Sequence, residues 1–67
     1  MEMESVTSSL IASIGWENGI LRVEFANGDS WDYLGVDEAT FRSVVNAPSV
    51  GKAFLARIKG HYRAEKG

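Results

Sequence analysis

The sequence contains no cysteine and only one histidine among its 67 residues. Without cysteine the chain has no disulfide, no thiol nucleophile and no cysteine-ligated zinc site. A single histidine also excludes a metal site built from several imidazoles of one chain. Neither the Walker phosphate-binding pattern nor the GxGxxG dinucleotide pattern occurs. The sequence therefore gives little support to an enzymatic function, and we expect neither a cofactor nor a metal.

Long apolar runs are missing as well, since none approaches the roughly 20 residues that span a bilayer. The first four residues, Met-Glu-Met-Glu, lack the basic start of a secretory signal. We therefore expect a soluble, cytoplasmic protein. A composition of 45% hydrophobic and 24% charged residues is typical of one globular domain. We assign that domain to residues 1–67, with a polar lead-in at 1–8 and an ordered core at about 9–63.

The segment from Leu10 to Trp16 predicts a half-buried strand, because its apolar residues alternate. Asn18-Gly19 follows, and this dipeptide favours a two-residue type I′ turn in which both residues adopt positive φ. The resulting hairpin places the large apolar side chains on one face. Its register pairs Trp16 with Leu21, Ile14 with Val23, and Ala12 with Phe25.

A second turn at Asn27-Gly28 allows two registers for the strand that follows. A two-residue loop turns Trp31 and Tyr33 outward, where they could stack against bases. A three-residue loop with Gly28 in the left-handed region buries both rings and pairs them with Val23 and Leu21. Burial of two aromatic rings instead of a carboxylate is favourable by several kcal/mol, at roughly 1.5–3 kcal/mol per large apolar side chain. We therefore predict the three-residue loop and a mainly structural role for both rings.

The pattern changes to helical spacing after Asp37, which can cap a helix that ends before Pro48. Ser49 can cap a second helix, in which Phe54, Ile58 and Tyr62 recur at spacings of four. A glycine at position 51, in the first turn, indicates close packing on a neighbour. The predicted fold is α+β, a three-stranded antiparallel meander followed by two helices packed on one face (β-β-β-α-α).

The net charge of −2 conceals an uneven distribution. Residues 1–38 hold eight acids and one base, whereas residues 39–67 hold six bases and one acid. If the second helix continues to the C-terminus, its cations form a basic ridge opposite the apolar stripe; they are Lys52, Lys59, Arg63 and Lys66. This ridge could contact phosphates or could be an ordinary solvated helix face. The pI of about 5.2 argues against broad affinity for nucleic acid.

Two further candidates have structural as well as functional interpretations. His61 near the end of the second helix is interpreted as a partly exposed packing residue, because no carboxylate or serine spacing completes a triad around it. Ser8-Ser9 could present hydroxyl groups to a ligand or could simply begin a strand.

Taken together, these motifs resemble the KTSC domain, a family named for the C-terminal segment of some lysyl-tRNA synthetases and also found as stand-alone small proteins. The matching residues cover almost the whole chain. They are Ser8-Ser9-x-Ile11-x-x-Ile14-Gly15, Leu21-x-Val23-x-Phe25-x-x-Gly28, Trp31-Asp32-Tyr33 with Val36, and Ala47-Pro48-Ser49-x-Gly51-x-x-Phe54 with Ile58-Lys59 and Tyr62. The last of these segments is the most specific.

The sequence departs from the family pattern at four places. Trp31 stands where the family's Tyr-x-Tyr begins, and Asp37 replaces the usual proline. Ala53 and Leu55 replace the tyrosine and asparagine that flank the central phenylalanine. The change at position 55 removes a polar group from any ligand contact made there.

The resemblance implies a binding module, because RNA binding is inferred from the attachment of the family to a synthetase. We therefore expect a non-enzymatic module that binds RNA or a nucleotide through the basic second helix. Its candidate phosphate-binding residues are Lys52, Lys59 and Arg63, with Tyr62, Ser9 and Ser49 as polar neighbours. One alternative is a homo-oligomer that sequesters a nucleotide-type signal, as small phage proteins can do. Another is an adaptor that pairs with a protein through an exposed sheet edge.

Overall fold

A computed structural model describes residues 1–67 and shows a five-stranded sheet with two helices. The elements, in chain order, are β1 (Met3–Ser5), β2 (Ile11–Glu17), β3 (Ile20–Phe25), β4 (Ser30–Leu34), α1 (Glu38–Val45), α2 (Val50–Arg57) and β5 (Arg63–Lys66). The strands form one antiparallel sheet in the order β1-β2-β3-β4-β5. Both helices pack on one face, and we call the opposite face the outer face. No helix has the length and apolar character needed to cross a membrane.

The prediction of a three-stranded β-β-β-α-α fold is wrong in its number of strands. β1 lies within the predicted polar lead-in and adds to the free edge of β2. Gly15 allows this approach, because a β-carbon there would lie 2.5 Å from the Glu2 carbonyl oxygen and 2.6 Å from Met3 Sδ. Apolar and polar residues alternate only over residues 1–4, with two apolar residues, and this pattern is too short to distinguish a strand from a loop.

The second correction concerns the predicted length of the second helix, because α2 ends at Arg57. The Phe54 carbonyl accepts from the amides of both Ile58 and Lys59, and Gly60 then adopts a φ of +82°. The chain turns there and continues as β5, which pairs with the free edge of β4. Pairing that edge satisfies backbone groups that a three-stranded meander would leave exposed. Tyr62 therefore follows the helix and is not part of its apolar stripe.

Both hairpins have the predicted turns. Asn18 and Gly19 have φ values of +50° and +83°, as a type I′ turn requires. In the second hairpin the Phe25 amide donates to the Asp29 carbonyl, and Gly28 has a φ of +96°. The three-residue loop is therefore confirmed, with Val23 opposite Trp31 and Leu21 opposite Tyr33.

One predicted strand pair is wrong. Ile11, and not Ala12, lies opposite Phe25, because the register shifts between Ile11 and Ser13. Ala12 is the extra residue of this β-bulge and is exposed, while Ile11 is fully buried. The bulge reverses the alternation and so buries the larger side chain in place of the alanine.

The helix starts agree with the sequence prediction. Asp37 Oδ1 accepts from the Thr40 amide at 2.8 Å, and Ser49 Oγ accepts from the Lys52 amide at 3.3 Å. Gly51 packs closely as expected, since a β-carbon there would lie 3.0 Å from Ser8 Oγ. These contacts dock the start of α2 against the segment that leads into β2.

Candidate functional site

An apolar cleft of about 370 Å³ opens between α2, the turn that follows it, and the inner face of β4 and β5. The helix, the turn and the two strands meet here without filling the space between them. The cleft is lined by Leu10, Phe25, Trp31, Tyr33, Phe54, Leu55, Lys59, Gly60, Tyr62 and Ala64. Four of these residues supply aromatic rings in addition to the buried Phe54. This composition suits a flat, mainly apolar ligand.

The rings of the cleft are held by the core. Phe54 packs edge-on against Phe25 and Tyr33, with centroid distances of 5.5 and 5.3 Å. Tyr33 is only 6% exposed, and burial raises the pKa of its hydroxyl above the ordinary value. Neither this hydroxyl nor the indole nitrogen of Trp31 is hydrogen-bonded within the chain. The wall is therefore rigid and carries polar atoms that are free to bond to a ligand.

A second, more polar groove of about 240 Å³ lies beside the start of α2. It is lined by Ser8, Ser9, Leu10, Ser49, Gly51, Lys52 and Leu55. The Ser8 hydroxyl accepts from the amides of Leu10 and Ile11, which holds the segment that carries Ser9. The groove thus places hydroxyl groups and one cation around the first turn of the helix.

The groove and the cleft adjoin, because Leu10 and Leu55 line both. Leu55 is the more prominent of the two at 48% exposed, which is unusual for a large apolar side chain of this protein. Lys52 lies in the groove and Lys59 in the cleft, and neither forms an ion pair. A ligand that occupied both spaces would meet an aromatic wall at one end and hydroxyl and ammonium groups at the other.

The structure brings together five of the six candidate residues named from the sequence. Ser9, Ser49 and Lys52 line the groove, and Lys59 and Tyr62 line the cleft. Arg63 does not join them. It lies in β5 opposite Leu34, and strand alternation directs it to the outer face because its neighbour Ala64 lines the cleft.

The predicted basic ridge does not exist as one helical face. Of its four cations only Lys52 lies in α2, whereas Lys59 is in the following turn and Arg63 and Lys66 are in β5. Lys66 also lies 4.0 Å from Asp29, so its charge is partly compensated. The ridge depended on a helix that continues to the C-terminus, and the turn at Gly60 ends that continuity.

The aromatic part of the site was not predicted from the sequence. The prediction that Trp31 and Tyr33 face the core side of the sheet is correct, but this face is not completely covered. α2 is too short to cover the sheet as far as β5, and the uncovered part is the cleft. One available signal was Leu55, an apolar residue in a helix position beside the buried stripe.

The remaining chemical candidates do not form a site. His61 is exposed in the turn before β5. No group of three or more histidine, aspartate or glutamate side chains is arranged to hold a metal ion.

Comparison with known proteins identifies the family. The KTSC domain model matches residues 7–62, and the chain therefore belongs to the KTSC domain family. Among solved structures it is similar to the KTSC domain protein YPO2434 from Yersinia pestis, at 35% identity and a TM-score of 0.92. That match covers 98% of this chain and 96% of the other. No curated protein sequence matches this chain.

Proposed function

We propose that this protein is a non-enzymatic module that binds a small nucleotide, with the base in the aromatic cleft and the phosphate in the serine-lined groove. The observation that carries the proposal is the continuity of the two spaces through Leu10 and Leu55. An aromatic wall next to hydroxyl and ammonium groups complements a molecule that joins a flat heterocycle to an anion.

The size and chemistry of the cleft support the base position. A volume of about 370 Å³ falls within the range of about 300–1,000 Å³ that is usual for small-molecule sites. Trp31 and Tyr62 offer half-buried rings, and stacking of a base on an aromatic side chain contributes about 1–3 kcal/mol.

The groove supports the phosphate position. The amides of Val50 and Gly51 at the start of α2 have no acceptor in the chain. Free amides at a helix N-terminus favour an anion, and Lys52 adds a full positive charge beside them. Lys59 lines the cleft and supplies a second positive charge on that side.

The arrangement favours a compact ligand over an RNA strand. An RNA strand is bound by cations that follow its backbone. Of the unpaired cations here, only Lys52 and Lys59 line the groove and the cleft. Arg63, which the RNA hypothesis requires beside Lys59, lies on the outer face. Binding of a mononucleotide needs only Lys52 and Lys59.

The test is titration of the protein with AMP, GMP, CMP and UMP by amide chemical shifts and calorimetry. At least one nucleotide should bind saturably and shift amides of α2 and β4. Lys52→Glu and Lys59→Glu should each weaken binding by about ten-fold or more and flatten its salt dependence, because each removes a charge-assisted contact.

Arg57→Glu is the matched control, since Arg57 lies at the end of α2, is exposed, and lines neither space. It changes the net charge by the same amount and should change affinity less than about three-fold. Absence of binding by all four nucleotides, or equal effects of all three substitutions, would reject the proposal.

A second candidate is the sequestering homo-oligomer, and the free edge of β5 favours it. The Gly67 amide donates to Ser30, so residues 63, 65 and 67 bond to β4 and the backbone groups of Ala64 and Lys66 point outward. Antiparallel pairing of two β5 strands about Ala64 joins these outward groups. Because this pairing is symmetric, it also places Arg63 of each copy opposite Glu65 of the other.

The next allowed register instead puts Glu65 opposite Glu65 of the second copy, which is repulsive. The two-fold axis of the favoured pairing is perpendicular to the sheet, so both clefts would open on the same face of a ten-stranded sheet. Such a dimer would hold two ligand sites on one face.

Native mass spectrometry across a concentration series tests this dimer. Ala64→Pro should shift the protein to monomer, because it removes an outward N–H without removing a bond to β4. Arg63→Glu should also dissociate the dimer, and the double variant Arg63→Glu/Glu65→Arg should restore it. A monomer at all concentrations, or no rescue by the double variant, would reject this pairing.

A further inference from the structure

Tyr33 presents a polar atom in the cleft without a partner in the protein. Its ring is fixed on three sides, by Leu21 and Ala64 on the neighbouring strands and by the edge of Phe54 at 5.3 Å. The residue is 94% buried, since only 6% of its surface is exposed. No side chain or backbone group of the chain is hydrogen-bonded to its hydroxyl.

The Tyr33 hydroxyl is not sealed inside the protein. Every fully enclosed side-chain oxygen or nitrogen in this protein has a hydrogen-bond partner. The Tyr33 hydroxyl has none, so it is not fully enclosed, and the space that Tyr33 lines is the cleft. Buried tyrosine hydroxyls are normally hydrogen-bonded, because burial without a partner costs free energy. Desolvation is the only cause that raises the pKa of this group, which is consistent with a hydroxyl that lacks a protein partner.

We infer that the Tyr33 hydroxyl is the specificity-determining contact of the cleft, donating a hydrogen bond to a ring nitrogen or carbonyl oxygen on the inner edge of the bound base. This inference rests on the proposed nucleotide-binding function and names the part of the ligand that the protein reads. Apart from the indole N–H of Trp31, the other side chains of the inner wall are apolar, so a base whose edge lacks an acceptor at this point leaves the Tyr33 hydroxyl unpaired. The cleft therefore selects heteroaromatic groups over hydrocarbon rings of similar size.

Lys59 and Tyr62 differ from Tyr33 in where they lie in the cleft. They come from the turn that forms the mouth of the cleft, where Tyr62 is only half-buried and solvent can replace a lost contact. Tyr33 lies on the sheet that forms the floor, where water is a poor substitute. Discrimination between bases should therefore depend on Tyr33 more than on Tyr62.

The experiment compares two probes on the full chain by calorimetry. One is the tightest-binding of AMP, GMP, CMP and UMP, and the other is naphthyl phosphate, which is flat and anionic but has no acceptor on its rings. Tyr33→Phe should weaken nucleotide binding by about five- to twenty-fold and change naphthyl phosphate binding by less than two-fold. Ser13→Ala is the matched control, because it removes a hydroxyl from a β2 residue that lines neither space, and it should change neither by more than about two-fold.

The outcomes separate this inference from the function on which it rests. If a nucleotide binds and depends on Lys52 and Lys59, but Tyr33→Phe affects both probes equally or neither, the inference is overturned and the function stands. If no nucleotide binds the wild-type protein, both are rejected. Thermal denaturation confirms that Tyr33→Phe folds, which is expected because the removed hydroxyl has no protein partner.

Discussion

The two tryptophans between the helices and the sheet differ in whether the protein itself bonds the indole N–H. At the α1 end, Trp16 donates its indole N–H to the Val36 carbonyl at 2.7 Å and stacks on Phe41 at 6.4 Å. At the α2 end, Trp31 has no acceptor for its indole N–H and lines the cleft. We call these the closed end and the cleft end.

The difference separates the side chains that stabilise this chain of 67 residues from those available to the proposed ligand. The closed end satisfies its polar atoms internally and fills its space, so it contributes to stability. The cleft end leaves a tyrosine hydroxyl, an indole N–H and two ammonium groups without partners, which a purely structural end would not require. The candidate binding groups are thus concentrated where α2 stops short of β5.

The largest expected effect follows from removal of the residue that separates the cleft from the core. Phe54→Ala should lower the free energy of unfolding by about 3–5 kcal/mol, because Phe54 is 1% exposed and supports both Phe25 and Tyr33. Urea denaturation measures this loss. The adjacent Leu55→Ala is the control; it should cost about 0.5 kcal/mol or less while weakening ligand binding. Similar losses for both variants would contradict the assigned boundary between core and cleft.

An intermediate effect should distinguish the two tryptophans directly. Trp16→Phe should destabilise the protein by about 1 kcal/mol more than Trp31→Phe, since only the first removes a hydrogen bond from the protein. Both substitutions remove the same atoms, so the chemical change is matched and the hydrogen bond to Val36 is lost in only one of them. Chemical denaturation of the pair gives the result. Equal destabilisation would show that the closed end is no better satisfied than the cleft end.

The smallest effect concerns pH, because the two helices are capped by different groups. The hydrogen bonds from Thr40 hold the pKa of Asp37 below its usual value, whereas the Ser49 cap of α2 does not titrate. A lowered pKa in the folded state contributes stability above the unfolded-state pKa of about 3.9, and this contribution is lost as the pH falls through the folded value. Acid should therefore loosen α1 before α2.

Amide chemical shifts and hydrogen exchange across pH 2 to 6 measure this difference at Thr40 and Lys52. The Thr40 amide should titrate with a midpoint below about 3.9, and the Lys52 amide should not. Asp37→Ser, which replaces the carboxylate by a hydroxyl, should abolish the titration at Thr40. Persistence of the titration in that variant would assign it to another carboxylate.

Much of the fold could be predicted because local rules decided it. Asn18-Gly19 and Gly28 determined two turns, and the turns determined which residues face each other. Asp37 and Ser49 marked both helix starts through their side-chain caps. In each case the interacting atoms lie within a few residues of one another, or in register across a tight turn, so sequence order is a good guide to their contact.

The candidate site could be predicted only in part. Ser9, Ser49 and Lys52 were named from the sequence and converge in one groove. The pairing of their groove with an aromatic cleft was not foreseen, because it depends on the end of α2 and on where β5 pairs. Arg63 was grouped with Lys59 by helical spacing, and strand alternation separates them.

The sequence by itself determined the two hairpin turns, the register beside each turn, the helix caps and the family to which the chain belongs. Only the tertiary structure decided that the two termini add strands to the sheet and that an uncovered aromatic surface remains beside α2. The physical reason is that β1 and β5 have weak patterns of their own. They become strands because the edges of β2 and β4 offer unpaired backbone groups, and a partner edge is a property of the folded sheet and not of the segment that joins it.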